Sequence, residues 1–598
     1  MNKTKIQYIN LTPINARRAK QQPPVPVISL VSFALRSFYK KVGKHYDKYE
    51  WLDSIYSWWE PSANSYTNKD IPWEVDNALN EVKEKKPDIV CITVYVWNFD
   101  SSMYLAKLIK EFNPNTTIIV GGPSIDHKSN EKFMSDNPYI DYVIYSDGEE
   151  AFQILLDSFI EPIDERTIPN LITKDFKTPF KLFRFKDFEP FNPYLDMQVE
   201  FIKEYNKALA IREQIYPEKD NDPTVRPHIN SLIDVVYERI RGCPYTCTFC
   251  DWNSGLHTKV NKSLADWKAE IKFLSQFRYI CFEWIDANIG MTKEDVDIMR
   301  FAFDHFNGID QAVRGHNMAK QNKERVLEIE KMREDSLETK VSLQHIDDLV
   351  LENIQRPSVT WEKHKEMMAD LIDNHGKSIK VELINGLPGA THEKNMHQLQ
   401  ELIRAGVNTI ILYPWELLPN TPAYEKDYQE KHQLKSMLVY FPHEDLHTTH
   451  EEFYKKYIEK DVASGLRKAV VQYQNSLEDY ILYQLSVELF NVLSFPNSIL
   501  YFKHDAEQAQ NREDRLEQRL KTFNKCLTKM TPLFKMIAKQ QEHTILKQLS
   551  EYGFVLWGFP VGDTIVPWDE AVEKLCSNAM RNILENPNEN ELEPVLDI

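Results

Sequence analysis

The sequence has no long apolar run, and this absence argues against a membrane-spanning protein. None of its hydrophobic stretches approaches the roughly 18 residues of a membrane-spanning helix, and the start, Met1 to Lys3, does not have the pattern of a signal peptide. No internal repeat or low-complexity segment stands out. Seven cysteines in 598 residues do not form the disulfide framework of a short secreted protein. We therefore expect a cytoplasmic protein that does not enter a membrane.

Positive charge is also in short supply. The chain has 72 Lys and Arg against 90 Asp and Glu, which gives a net charge of −18. Because phosphate groups are bound by clustered Lys and Arg, this balance disfavours a nucleic-acid-binding protein, although a local basic patch would still allow an RNA substrate. The length predicts three to four domains, each with its own core.

Three of the seven cysteines lie within eight residues of one another, at Cys243, Cys247 and Cys250. Their C-x3-C-x2-C loop directly follows the apolar run 232–237, which is predicted to be a strand. Three thiolates on one loop are able to hold three irons of a 4Fe–4S cube, whose usual complement is four cysteines. The missing fourth ligand leaves one iron open, as chemistry at the cluster requires.

A structural zinc loop is the alternative interpretation. Zinc takes four tetrahedral ligands, usually from two cysteine pairs or from a cysteine pair and histidines. The other cysteines, Cys91, Cys281, Cys526 and Cys576, are isolated in the sequence. His257, seven residues after Cys250, is the candidate fourth ligand.

Residues 1–160 alternate predicted strands with amphipathic helices. The expected strands are 27–31, 88–96, 117–120 and 142–145, and the expected helices are 72–86, 101–111 and 149–159. This order predicts an α/β domain with a doubly wound parallel sheet. In such folds ligands bind at the carboxyl ends of the strands, where this chain has Trp97-Asn98, Gly121-Gly122-Pro123 and Asp147-Gly148-Glu149.

The rest of the chain divides into three predicted parts. Residues 161–230 are rich in proline and read as a linker between domains. Residues 231–445 are predicted to form a partial barrel of six βα units, with strands that include 279–284, 340–345, 380–385 and 408–415. Residues 446–598 are predicted to be a mostly helical domain, in which 507–529 would be a solvated arm.

In the order and spacing of these motifs the chain resembles the cobalamin-dependent radical S-adenosylmethionine (SAM) enzymes. Those enzymes carry a cobalamin-binding domain ahead of a radical SAM barrel. The matching segments are 87–90, 94–98, 121–123 and 147–152 for the first domain, and the cysteine loop with Phe249 for the second. The resemblance implies a 4Fe–4S cluster on Cys243, Cys247 and Cys250, whose open iron binds SAM.

The resemblance also implies roles for individual residues around the two other cofactors. Phe249 would lie against adenine, and Gly386 would allow close approach to it. Asp286 and Asn288 would hold the SAM ammonium, with a helix N-cap as the alternative for one of them, and Gln344 would contact the ribose or carboxylate. The implied cobalamin contacts are Thr93, Trp97, Asn98, Gly121, Gly122, Pro123, Gly148 and Glu149.

One feature of many cobalamin proteins is missing. Mutase-type domains supply a histidine to cobalt from an Asp-x-His-x-x-Gly motif, and residues 1–160 contain none, since Asp126-His127 has the wrong spacing. Trp97 or Asn98 would then face the lower side of the corrin. The alternative for Trp97 is an ordinary core aromatic.

The activity implied by the resemblance is methyl transfer to an unactivated carbon, through a 5′-deoxyadenosyl radical and methylcobalamin. A cyclase or ring-contracting enzyme that uses the same cofactors is the alternative, and a non-catalytic metal-binding module is a more distant one. We expect a small-molecule or peptide substrate and an external electron donor of the flavodoxin or ferredoxin type.

Overall fold

The structure is a computed structural model, and it describes most of the chain. The described residues are 3–11, 27–56, 73–128, 130–216, 231–252, 261–308, 310–315, 323–333, 338–356, 360–441, 448–453, 455, 467–473, 476–494, 511–561, 564–566, 571–572 and 574–576. His257, the candidate fourth ligand of the alternative zinc interpretation, lies outside them. No helix among the described residues is long and apolar enough to span a membrane.

The strands within these ranges are numbered in chain order. They are β1 (Thr4–Asn10), β2 (Val27–Ile28), β3 (Tyr49–Trp51), β4 (Ile55–Tyr56), β5 (Ile89–Thr93), β6 (Thr117–Gly121), β7 (Tyr142–Ile144), β8 (Leu171–Ile172), β9 (Ile233–Tyr237), β10 (Ile240–Arg241), β11 (Asn261–Lys262), β12 (Ile280–Trp284), β13 (Ala312–Gly315), β14 (Glu338–Gln344), β15 (Ser378–Asn385), β16 (Thr409–Glu416), β17 (Lys435–Phe441), β18 (Thr448–Thr449), β19 (Arg467–Tyr473), β20 (Val555–Leu556), β21 (Phe559–Val561) and β22 (Thr564–Val566).

The α-helices of the described residues are numbered in the same way. They are α1 (Leu30–Val42), α2 (Trp73–Lys85), α3 (Phe99–Phe112), α4 (Asn130–Asp136), α5 (Glu149–Ile160), α6 (Gln198–Ile215), α7 (Trp267–Leu274), α8 (Lys293–His305), α9 (Lys323–Met332), α10 (Asp348–Asn353), α11 (Trp361–His375), α12 (His392–Arg404), α13 (Lys426–Lys431), α14 (His450–Phe453), α15 (Leu477–Ser494) and α16 (Arg512–Tyr552).

The first sheet has the strand order β3-β1-β5-β6-β7-β8, with β4 also paired to β1. All its pairs are parallel except β7 with β8. Helices α2, α3 and α4 pack on one face and α1 and α5 on the other, so β1, β5, β6, β7 and β8 have apolar side chains on both sides. The predicted doubly wound sheet is therefore confirmed.

Two details of this sheet differ from the sequence prediction. Strand β1 lies next to β5 but was not predicted, because its apolar residues are interrupted by Gln7. The strand predicted at 27–31 is reduced to β2, and it pairs with β9 in the second sheet instead of joining the first. The partner of an isolated short strand is set by tertiary packing, which periodicity does not report.

The central part contributes six parallel strands to two sheets, and β2 from the N-terminal part adds a seventh. One has the order β13-β12-β9-β2, and the other begins β14-β15-β16. Each strand is followed by at least one helix in the described residues, as the predicted βα units require. The carboxyl ends of these strands define the edge at which the candidate site lies.

Two other predicted parts contain more packed structure than the sequence indicated. Within 161–230, α6 packs on the outer face of the β9–β12 sheet through Phe201, Tyr205 and Ala208. Beyond 445, β19 continues the β14–β15–β16 sheet by pairing with β16 and β17. The expected solvated arm at 507–529 is also wrong for the described part, because α16 buries Leu520, Phe523 and Cys526 in the main core.

Candidate functional site

The cysteine loop follows β10 at the carboxyl edge of the second sheet. Gly242 begins the loop with φ +85°, a conformation that favours glycine. Cys243 and Cys247 are buried and Cys250 is half-buried. Backbone bonds hold the loop: Cys250 N donates to Cys247 O (3.1 Å), Thr248 N donates to Ile354 O (3.0 Å), and Thr248 O accepts from Ala423 N (3.0 Å). The chain is thereby fixed against the turn that follows α10.

Polar side chains from other strands surround the thiols. Asn288 Nδ2 donates to Cys243 Sγ at 3.1 Å, and the Arg356 guanidinium donates to the Cys247 thiol. Burial lowers the pKa of Arg356, and the neighbouring thiols oppose that effect. Among the described residues, no three His, Cys, Asp or Glu side chains lie close enough together to hold one metal ion. In a 4Fe–4S cube each thiolate takes a separate iron, so that a wider spacing is the relevant one.

The ends of β12 and β14 carry three buried side chains with spare acceptors. Asp286 uses Oδ1 to accept from the backbone N–H groups of Arg239 (2.7 Å) and Ile240 (3.0 Å), and burial raises its pKa to about 7. Its Oδ2, Asn288 Oδ1 and Gln344 Oε1 are buried and accept no hydrogen bond from the described residues. Buried acceptors are normally satisfied, so these three at one edge are available to accept from a ligand.

Gln344 is held in an uncommon backbone conformation. Its φ is +60°, and the β14–β15 register shifts between Ser342 and Gln344. Left-handed φ in a residue other than glycine costs free energy and is concentrated at functional sites. The next residue, His345, is held at both ring nitrogens, by Asn395 and by the Asp347 N–H, and burial lowers its pKa to about 4. Both ring nitrogens of His345 are therefore used within the protein.

Phe249 lies in an apolar group at the same edge. It packs against a cluster that includes Val350, Leu387 and Trp415, and Ile384 joins the cluster from β15. Gly386, at the end of β15, has φ +95°. The arrangement provides an apolar wall between the cysteine loop and the ends of β15 and β16.

In the first sheet, two of the predicted cofactor contacts brace the end of β5. Asn98 is buried, and its amide accepts from Tyr95 N (2.7 Å) and donates to Leu11 O (2.7 Å) and Thr93 O (3.1 Å). Thr93 is also buried, and its hydroxyl bonds to Tyr8 OH. Both side chains therefore stabilise the end of the strand through hydrogen bonds within the protein. Tyr8, which the sequence reasoning missed, is part of the same group.

Trp97 is not a core aromatic. Its ring stacks on Tyr95 with a centroid distance of 4.6 Å and an interplanar angle of 7°, and the residue is 49 % exposed. The pair therefore presents a flat apolar surface at the carboxyl end of β5. His127 is buried instead, with its ring stacked on Tyr145 at 5.2 Å.

The glycines at this edge differ in whether the backbone requires a residue without a side chain. Gly122 has φ +126°, and a Cβ there would lie 2.2 Å from Val94 O, so two backbone segments approach closely at this point. Gly121 allows a milder approach to Ile144 O (3.1 Å), and the half-buried Pro123 follows in the turn. Gly148 has φ −96° and meets only ordinary contacts, which leaves its glycine identity without a backbone explanation.

Glu149 joins the two regions. It is buried, and its carboxylate receives the Arg241 guanidinium, which also pairs with Asp147 and Glu238. Arg241 directly precedes Gly242 of the cysteine loop, so the turn after β7 and the cysteine loop share one ion-pair group. Both segments were predicted from sequence as cofactor sites, but no local pattern indicated that they touch each other.

The faces of the central sheets that point away from their helices, here called the inner faces, carry ion pairs. In the β9–β12–β13 sheet Arg314 pairs with Asp234 (2.6 Å) and Glu283 (3.4 Å). In the β14–β15–β16 sheet Glu382 pairs with Lys340 (3.1 Å) and accepts from Tyr413 OH (3.3 Å). Tyr413 is 41 % exposed, so this inner face is open enough to meet solvent or a ligand.

A family model and named relatives were found for this chain. The family model is described as a B12 binding domain and matches residues 64–156. The chain is 27 % identical over 346 residues to the 2-(S-pantetheinyl)-carbapenam-3-carboxylate methyltransferase of Streptantibioticus cattleyicolor, which covers 56 % of this chain and 48 % of that protein. It is 25 % identical over 381 residues to the cobalamin-dependent radical SAM methyltransferase TokK of Streptomyces tokunonensis, with 59 % and 50 % covered.

A solved structure shares the fold over nearly the whole chain. The cobalamin-dependent SAM radical enzyme OxsB, with aqua-cobalamin and SAM bound, matches with a TM-score of 0.53 and 12 % identity and covers 98 % of this chain and 81 % of its own. The chain spans about half the length of the two methyltransferases it matches in sequence. From the B12-binding match, these relatives and this fold, we identify the chain as related to the cobalamin-dependent radical SAM enzymes.

Proposed function

We propose that the chain is a cobalamin-dependent radical SAM methyltransferase that methylates an unactivated carbon. One observation carries the proposal. The cysteine loop and the carboxyl edge of the B12-binding sheet lie in direct contact, through Arg241 with Asp147 and Glu149. Two segments with the sequence signatures of two cofactors therefore belong to a single site.

The cysteine thiols would hold a 4Fe–4S cluster. Cys243, Cys247 and Cys250 supply three thiolates, and the cluster would leave its fourth iron open. Asn288 and Arg356 donate toward two of these sulfurs, and hydrogen bonds to sulfur are among the factors that tune a cluster's reduction potential.

SAM would bind between the cysteine loop and the ends of β12, β14 and β15. The spare acceptors of Asp286, Asn288 and Gln344 suit the ammonium and ribose hydroxyls, which are hydrogen-bond donors. Phe249 would contribute to an apolar wall for the adenine, and Gly386 would let that ring approach the backbone.

Cobalamin would lie on the carboxyl edge of the first sheet. Few side chains protrude from this edge, because it contains Gly121, Gly122, Pro123 and Gly148. The stacked Trp97–Tyr95 pair would offer a flat apolar surface to the lower face of the corrin. Thr93 and Asn98 would act through the shape of the β5 end, since their polar atoms are used within the protein. Glu149 would affect the cofactor site indirectly, through its ion pair with Arg241.

The bound cofactors would supply methyl transfer and hydrogen abstraction, while the protein positions them and excludes water and oxygen. Overall, R–H, two SAM and two electrons become R–CH₃, S-adenosylhomocysteine, methionine and 5′-deoxyadenosine. The electrons would come from an external donor of the flavodoxin or ferredoxin type. The open, polar inner faces beneath the strand ends are suited to a polar small-molecule or peptide substrate.

Cyclisation or ring contraction without methyl transfer is the second candidate, and it is less well supported. Two relatives found in sequence carry methyltransferase names. The test is to incubate anaerobically reconstituted protein with a reductant and SAM labelled at its methyl group, together with candidate substrates. A methyltransferase releases S-adenosylhomocysteine and 5′-deoxyadenosine in near-equal amounts and labels the product. 5′-Deoxyadenosine without label in the true product would contradict the proposal.

A further inference from the structure

We infer that Arg241 is a positioning residue that clamps the B12-binding sheet to the cysteine loop and fixes the distance between the two cofactor sites. The inference rests on the proposed function for its catalytic consequence, but its structural half stands on contacts within this chain. Arg241, Asp147, Glu149 and Glu238 are called the clamp below.

The clamp is built from short, directed contacts. Arg241 Nη1 donates to Asp147 Oδ1 (3.0 Å) and Glu149 Oε2 (3.1 Å), while Nη2 pairs with Glu149 Oε1 (2.9 Å) and Glu238 Oε2 (2.9 Å). Glu149 thus receives both terminal nitrogens, the fork geometry that a guanidinium offers and an ammonium does not. The Phe185 ring lies 5.2 Å from the guanidinium carbon and covers it.

The clamp residues lie close in the sequence to both predicted cofactor sites. Arg241 lies two residues before the first predicted cluster ligand, Cys243. Asp147 and Glu149 flank Gly148, the predicted cobalamin contact whose glycine identity no backbone constraint explains. Only a few covalent bonds therefore separate each end of the clamp from a predicted cofactor site, and little flexible chain intervenes.

Two other polar contacts between the two parts are of a different kind. Asn420 Nδ2 donates to Ile125 O at 2.9 Å, and Lys128 pairs with Glu425 on the surface. An exposed pair is screened and contributes little, whereas the Asp147 and Glu149 side chains at the clamp are each only 4 % exposed. The pairing of β2 with β9 and the burial of Phe33 from α1 in the second core also join the two parts, but neither involves a residue of the cysteine loop. Breaking a buried ion pair leaves an uncompensated charge, so among the polar contacts the clamp is the one whose loss would most disturb the placement of the cysteine loop.

A methyl group passes between two bound cofactors only if donor and acceptor meet within a narrow distance. A misplacement of about 1 Å costs on the order of 100-fold in rate. A loosened clamp should therefore slow formation of S-adenosylhomocysteine, which needs both sites, more than formation of 5′-deoxyadenosine, which needs only the cysteine loop and SAM. A residue that merely stabilised the fold would lower both together.

The experiment compares Arg241→Met, Arg241→Lys and Glu149→Gln with the Lys128→Met control in anaerobically reconstituted full-length protein. Iron, sulfide and corrinoid contents are measured first. Hydrogen–deuterium exchange is then followed at the turn 146–150 and at 241–250, and the two SAM products are quantified with a chemical reductant. Glu149→Gln preserves shape and lies far from the cysteines in sequence, so it serves if Arg241→Met fails to fold.

We expect Glu149→Gln and Arg241→Met to retain cluster and corrinoid, to exchange faster at both segments, and to lose at least about tenfold in S-adenosylhomocysteine relative to 5′-deoxyadenosine. Arg241→Lys should fall between them and wild type, and Lys128→Met should match wild type. Unchanged exchange, an unchanged product ratio, or loss of cluster or corrinoid in Glu149→Gln would each overturn the clamp. If wild type forms no S-adenosylhomocysteine, the proposed function fails, and exchange alone decides the clamp.

Discussion

The B12-binding sheet and the central sheets are both parallel, but they bury their strands differently. Every residue of β5 is buried, because helices cover both faces of the first sheet. In β9 and β15 burial alternates with every second residue, since helices cover the outer face only. The inner faces carry the ion-paired Asp234, Arg314 and Glu382 beside smaller apolar clusters such as that of Cys281 and Ala312.

This difference bears on where each part is able to bind a ligand. A sheet closed on both faces leaves only its carboxyl edge, where Gly122 and Trp97 lie. A sheet that is open on one face offers that face as well as its edge. Under the proposed function, the substrate would therefore lie against the inner faces of the central sheets, and cobalamin would lie at the edge of the first sheet.

The largest expected effect concerns the cysteines of the two regions. Changing Cys243, Cys247 or Cys250 to Ala should abolish assembly of the 4Fe–4S cluster and SAM cleavage, because each thiolate holds one iron. Cys91→Ala, in the first sheet, should leave both intact, since burial raises the pKa of Cys91 to about 12 and keeps it a thiol. Iron and sulfide quantitation with the visible spectrum measures the outcome, and a full cluster in Cys247→Ala would contradict the assignment.

A second prediction separates two glycines of the first sheet. Gly122→Ala should lower the free energy of unfolding of this domain by about 2–4 kcal/mol, because the new Cβ meets Val94 O at a positive φ. Gly148→Ala should leave thermal unfolding of the protein without corrinoid unchanged. If Gly148 lies against the corrin, its variant will nevertheless retain less corrinoid, whereas equal retention would remove Gly148 from the cofactor site.

The sequence predicted the parts of the fold that local patterns determine. Strand β5 was found because its apolar run is unbroken, and β15 because apolar residues alternate along it. Helix α6 was missed since prolines surround it, although its buried face packs on the second sheet. The partner of β2 was wrong because strand pairing depends on residues far away in the chain.

The same division applies to the site. The cysteine spacing, the glycine turns and the polar residues at strand ends are local signals, and the structure places each at a carboxyl edge. Two interactions were not predictable: the hydrogen bonds of the Asn98 side chain with backbone groups, and the ion pair of Glu149 with Arg241. Both depend on contacts between distant segments. Sequence reasoning therefore located the edges, but it did not distinguish side chains that are already paired from those that are available, such as Asp286 and Gln344.

A third prediction concerns a carboxyl group on the apolar outer side of the central sheets. Glu270 on α7 is fully buried and accepts from Tyr194 N (2.7 Å), and burial raises its pKa from 4.5 to about 8. The folded state thus holds a proton that the unfolded state loses, so this group lowers the free energy of unfolding as pH rises from about 4.5 to 8. Glu270→Gln should flatten that decline by on the order of 2 kcal/mol.

Thermal unfolding of wild type and Glu270→Gln at pH 5 and pH 8 measures this difference. The variant should gain on wild type at the higher pH, because its amide stays neutral. A variant that loses stability equally at both values would show that Glu270 is ionised throughout in the fold.

The smallest effect tests the comparison itself with one substitution made twice. Val90 on β5 is fully buried between strands and helices, whereas Val236 on β9 lies on an inner face, in register with Glu283. Val90→Thr buries a hydroxyl among apolar neighbours and should cost about 1–2 kcal/mol. Val236→Thr places the same hydroxyl beside charged groups and solvent, and should cost less than about 0.5 kcal/mol. Thermal unfolding, monitored at the transition of each domain, gives both values. Equal costs would mean that the inner face is as closed as the first sheet, and the substrate would then have to bind at the edge alone.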